Sequence, residues 1–139
     1  ELRVGHPEMF AAGIGPLYGG FGMVIRKSDI DESFIMAKLN VGFSASAGID
    51  IVCVSGFLEA GGEGYLGDSG LSLLVYVRGG IRGSVLGHDV INLMLEAQGN
   101  VTRGASGPWN LGASARSRYH VDLLIDIKGS VDWHISKTF

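Results

Sequence analysis

Toward the end of the chain, apolar and polar side chains alternate without a break. Ile125, Ile127, Gly129, Val131, Trp133 and Ile135 fall on one side, and Asp126, Lys128, Ser130, Asp132, His134 and Ser136 on the other. A period of two puts these sets on opposite faces of a strand, whereas a helix would scatter the polar residues round its circumference. The same alternation runs earlier, with Leu39, Val41 and Phe43 opposed to Lys38, Asn40, Gly42 and Ser44. In "IDIVCVSGF", Ile49, Ile51, Cys53 and Ser55 share one face while Val52 and Val54 load the other, which predicts a strand covered on both sides.

One segment points both ways. "LMLEAQG" (93–99) is rich in helix formers, with Asp89 placed as an N-cap and Gly99 as a C′ glycine. Its neighbours in register argue otherwise. "LEAGG" at 58–62, "LEAQG" at 95–99 and "IDIKG" at 125–129 share an aliphatic–acidic–x–x–Gly pattern behind apolar lead-ins. The third copy lies in the clearly alternating strand, so the second is expected to be a strand too, with Gly99 as a bulge or bend. Residues 34–139 thus read as three strand-rich units, joined by turns at "GDSG" (67–70) and "GASGPWN" (104–110).

The first 33 residues read as an irregular Gly-rich entry. Pro7 opens a short helical turn over "PEMFAA", stopped by Gly13. "GIGPLYGGFG" favours turns or an edge strand, and "GMVIRK" a short strand closed by "SDIDES". The 23 glycines beside 3 prolines, without a collagen triplet, suit turns and closely approaching strands. The expected fold is all-β: a single domain over 1–139, a long, curved, Gly-punctuated antiparallel meander, as a barrel or an extended sheet, with the short N-terminal helical turn.

Composition narrows the function classes. A chain of 139 residues that is 46% hydrophobic has material for a core, and 14 acidic against 11 basic residues gives no basic footprint for nucleic acid. Cys53 stands alone, which excludes an internal disulfide and a cysteine-based zinc site. The start at Glu1 rather than Met suits a processed product or a piece of a longer chain.

Candidate chemistry is sparse. On strands, His120 with Asp122 and Asp132 with His134 form i, i+2 pairs on one face, the weak candidates for a metal or an acid–base pair. Solvent-facing alternation explains them without either. Glu59, Glu96 and Asp126 occupy equivalent repeat positions, which favours a structural or solvating role over a catalytic pair. No serine sits in a Gly-x-Ser-x-Gly setting, and the Gly-rich run lacks a Lys-Ser/Thr end for phosphate. "NVT" (100–102) is a glycosylation sequon in a secreted eukaryotic chain.

The leading expectation is therefore a non-enzymatic structural or assembly module without a cofactor, presenting sheet surface to copies of itself or to neighbouring domains. A second is a carrier of an apolar or lipid-like small molecule, lined by Leu73, Val75, Val77, Leu93, Leu95, Leu123 and Ile125. A third is a small outer-membrane β-barrel: Val131, Trp133, Ile135 and Phe139 resemble a last barrel strand, while Lys137 interrupts the lipid side and no aromatic girdle is evident.

Overall fold

The computed structural model describes residues 1–5, 10–123 and 125–139. The chain folds as nine antiparallel strands in one sheet: β1 (Leu2–Val4), β2 (Phe10–Ile14), β3 (Leu17–Arg26), β4 (Phe34–Ile49), β5 (Val52–Gly67), β6 (Gly70–Val85), β7 (His88–Gly104), β8 (Trp109–Asp122) and β9 (Asp126–Thr138). Strands β3 to β9 form an unbroken meander, and β1 and β2 both lie along the outer side of β3. The sheet is open, with no pairing of β9 to β1 or β2 among the described residues. Every major contact is between strands paired as neighbours in the sheet.

"LMLEAQG" lies inside β7, one of the longest strands, as expected and against its helix propensity. The reason is pairing on both sides: Leu95 faces Gly79 and Ser117, and Gly99 faces Val75 and Ala113. Gly99 is not a bulge. The irregularity comes earlier, where Gly83 pairs with Ile91 and Ser84 with Asp89, leaving Val90 as the extra residue.

Three further expectations are corrected. "IDIVCVSGF" is not one strand: Asp50 and Ile51 form a hairpin turn, Ile49 pairs with Val52, and Ile51 carbonyl accepts from the Leu86 amide. The turn reverses the chain, so Ile49, Val52 and Val54 share one face and the two-sided apolar appearance vanishes. At the N-terminus, residues 6–9 lie outside the described residues, but Phe10 to Ala12 belong to β2, where pairing with β3 displaces the helical turn. The "GIGPLYGGFG" run divides: Gly13 and Ile14 end the edge strand β2 and Gly15 and Pro16 form the expected turn, but "LYGGFG" is the first half of β3, an inner strand paired with β4 and, from Leu17 to Phe21, with β2.

The turns set the register. Asp68 and Ser69 connect β5 to β6, so the residue eight positions before Gly67 faces the one eight positions after Gly70: Glu59 opposite Arg78. Leu86 and Gly87, both at positive φ, connect β6 to β7 as a two-residue turn of the type that matches strand twist.

A single layer leaves almost nothing enclosed. Val24 is the one buried hydrophobic residue and Glu59 the one buried charged residue among those described. Across β3 to β9, every large apolar side chain that stands exposed lies on one face, Met94 excepted. One cross-strand row illustrates it: Val41, Ala60, Val77, Ala97, Ala115 and Trp133.

Candidate functional site: a charge ladder on the polar face

The row on the opposite face runs Tyr18, Gly42, Glu59, Arg78, Glu96, Arg116, Asp132 from β3 to β9. From Glu59 onward the charges alternate in sign on consecutive strands. Opposite charges directly across a sheet attract, and like charges there would repel, so this order favours the observed register over a one-residue slip.

Glu59 is the hub. Its Oε2 accepts from the Tyr18 hydroxyl at 2.9 Å, and its Oε1 accepts from the Tyr76 hydroxyl at 2.9 Å and lies 3.0 Å from an Arg78 guanidinium nitrogen. Only 4% of Glu59 is exposed although no second layer covers it, because the two tyrosines and Arg78 close over the carboxylate. Both tyrosines reach it over a glycine, Tyr18 across β4 at Gly42 and Tyr76 from the neighbouring strand over Gly61 of β5 itself. The Tyr18 ring lies where a Cβ on Gly42 would stand, and the Tyr76 hydroxyl is 2.6 Å from the Cβ position of Gly61. Any larger residue at these two places would lift the rings from the sheet.

Around the hub the polar face carries further pairs. Lys38 and Glu63 are 2.9 Å apart, Arg116 binds Asp132, and Arg82 engages both oxygens of Asp89. Beside them a groove of about 660 Å³ is lined by Ser44, Ser46, Ser55, Phe57, Arg82 and Asn92, among others. Among the described residues, the Asn40 Oδ1 is the buried side-chain acceptor without a partner.

The four candidates for metal or acid–base work share this face without converging. His120 Nε2 lies 2.8 Å from Asp126 Oδ1, Asp122 is opposite Asp126, Asp132 is engaged by Arg116, and His134 faces Ser114. No three His, Cys, Asp or Glu side chains come together as a metal set among the described residues. Of the three acidic positions aligned in the sequence, Glu59 and Glu96 share a row, but Asp126 is at the far end of β9 and Asp132 holds the third acidic place, so the structure does not carry the repeat through.

The apolar candidates sit on the other face. Leu73 and Val75 line one groove, of about 270 Å³, and Val77, Leu93 and Leu95 another, of about 610 Å³. Leu123 and Ile125 lie in the connection between β8 and β9 and line neither. At the borders of this face stand Trp109 at one end of β8 and Tyr119 near the other. The Arg103 guanidinium lies 5.1 Å from the Trp109 ring centre, and Lys137 Nζ 4.6 Å from that of Phe139, whose backbone pairs with Trp109. Lys137 therefore marks the rim of the apolar band and does not break its middle.

No known protein family, curated protein or solved structure matches this chain.

Sequence reasoning missed the Glu59 hub. Tyr18 is 41 residues from Glu59 in sequence and Tyr76 17 residues away, so no local motif announces them. The Glu59–Arg78 pair was legible in principle, by counting outward from "GDSG".

Proposed function

We propose that this chain forms part of the wall of a transmembrane β-barrel, its apolar face toward lipid and its charge ladder toward the lumen. One observation carries the reading: a single-layered sheet sorts its exposed apolar side chains onto one face and its ion pairs onto the other. In water an apolar sheet face is covered by a second layer. Seven strands at ~4.8 Å spacing, over ~33 Å of strand length, make an apolar surface of roughly 1,000 Å². That is well beyond the ~300–600 Å² of the largest patch on a typical soluble monomer. Alternation of apolar and polar faces in long strands is what a barrel wall between lipid and lumen requires.

The dimensions agree. Trp109 and Tyr119 are ten residues apart on one face of β8, ~34 Å along the strand, which becomes ~26 Å at the ~40° tilt usual for such barrels, against an apolar band of ~25 Å. Aromatic side chains at both borders and cations at one of them match the preferences of a membrane–water interface. No helix is long and apolar enough to cross a membrane, so a crossing would be made by strands. Self-association, face on face, is the competing way to cover the same surface. The border aromatics favour lipid.

Single-tryptophan variants test the reading. In vesicles, Trp133, which faces Ala115 midway between the rows of Trp109 and Tyr119, should be quenched most by a label deep in the acyl chains. Trp109 should be quenched most by a label near the headgroups. A chain that stays water-soluble without detergent, with neither tryptophan quenched by either label, refutes the proposal and points to self-association.

A further inference from the structure

We infer that the rim formed by Arg103, Trp109 and Lys137 is a binding site for one membrane lipid with an anionic headgroup, its acyl chain lying in the groove below. The inference rests on the membrane reading and specifies a partner for the same face. The groove of about 270 Å³ is floored by the small residues Gly99 and Ala113, flanked by Val75, Val101, Leu111 and Ile135, and ends at Lys137. Asn100 and Ser136 belong to the opposite face, and the side chains on this face are apolar or small up to Lys137, so the groove offers an acyl chain close contact along its length and no side-chain hydrogen-bonding partner until the rim is reached.

The rim supplies the complementary charge. Arg103 is opposite Trp109, and Lys137 is opposite Leu111 one row inward, so the two cations lie on strands β7 and β9, ~10 Å apart laterally, with β8 between them. Neither has a carboxylate partner among the described residues, whereas Arg78, Arg82 and Arg116 on the polar face are all paired. Instead each cation lies against an aromatic ring, Trp109 and Phe139 respectively. Arg103 Nε also donates to the Gly107 carbonyl at 3.4 Å, which leaves the terminal guanidinium nitrogens and the Lys137 ammonium as donors for a lipid phosphate. Two long cationic side chains converging from alternate strands onto the head of an apolar groove fit one molecule with a charged end and a hydrocarbon end.

The test uses the full chain reconstituted into vesicles of equal parts phosphatidylglycerol and phosphatidylcholine, then examined by native mass spectrometry for the lipid retained. A lipid-facing cation contributes about 1 kcal/mol to attraction of anionic lipid, so two predict retention of phosphatidylglycerol over phosphatidylcholine by about thirty-fold. R103Q/K137Q should abolish the preference, and A113F, which fills the groove and keeps both charges, should remove the retained lipid. Equal retention of the two lipids by the inserted wild-type chain, or an unchanged preference in R103Q/K137Q, overturns the site. Insertion itself is read separately, by protease protection in vesicles of phosphatidylcholine alone. Failure there overturns the membrane reading and the site with it.

Discussion

Replacing Glu59 by alanine removes the acceptor for two tyrosine hydroxyls at 2.9 Å and the ion partner of Arg78 at 3.0 Å. The three contacts are not equal. A hydrogen bond to a charged group contributes about 1.5–3 kcal/mol, and the two hydroxyls lie over a carboxylate that is almost wholly enclosed. Arg78, with half its side chain exposed, regains water when the partner goes, so its ion pair contributes at most about 1 kcal/mol. Glu59→Ala should therefore cost about 3–5 kcal/mol, the range found when one partner of a buried charge pair is deleted. Glu59→Gln keeps the shape and can still hydrogen-bond both tyrosines as a neutral group, so it should cost about 1–2 kcal/mol. Urea unfolding in detergent micelles, followed by the fluorescence of Trp109 and Trp133, measures both. An alanine cost below about 1 kcal/mol refutes the hub, and a glutamine variant as unstable as the alanine one refutes the apportioning between hydrogen bonds and charge.

Other changes probe separate features. Gly42→Ala should displace the Tyr18 ring and cost about 1–3 kcal/mol, and Tyr18→Phe should cost about 1–2 kcal/mol alone but almost nothing in the Gly42→Ala background, a double-mutant cycle in the same unfolding assay. Leu86 sits at φ 52°, a conformation that suits asparagine far better, so Leu86→Asn should raise stability by about 1 kcal/mol, visible as a higher urea midpoint. Glu32, in the connection between β3 and β4, has its carboxyl held below the usual range because Ser69 and Tyr65 donate hydrogen bonds to it. A depressed carboxyl stabilises the fold above its unfolded value, near pH 4, and loses that contribution as pH falls through the lower folded value. The difference in thermal midpoint between the natural chain and Glu32→Gln should accordingly be present at neutral pH and vanish in acid.

What could be read from the sequence followed the strength of local periodicity. The faces of β9 were evident because polar and apolar residues alternate there without exception from Asp126 to Ser136. The hairpin at "GDSG" was equally plain. The turn at Asp50 and Ile51 was not, because Ile49, Ile51 and Val52 surround the single aspartate with β-branched residues and nothing left-handed is required of a glycine there. The bulge was sought at Gly99 and occurs at Val90, where pairing geometry and not residue type decides. The helical turn expected at the N-terminus gave way because β3 offers Phe10 to Ile14 a complete set of backbone partners. His120, Asp122, Asp132 and His134 were placed correctly on one face, yet whether they meet depended on cross-strand partners, Arg116 and Asp126, that spacing along one strand does not reveal.

The neighbour-to-neighbour order of strands β3 to β9 separates two properties of the sheet. The length of each strand fixes the thickness of slab the sheet can cross, while the number of strands fixes only its breadth. Adding or removing a hairpin such as β6–β7 would change the breadth of the sheet and leave the height of its apolar face untouched. Breadth is thus free to vary in whole hairpin steps, and in the proposed barrel the fit to the bilayer would be preserved at every step.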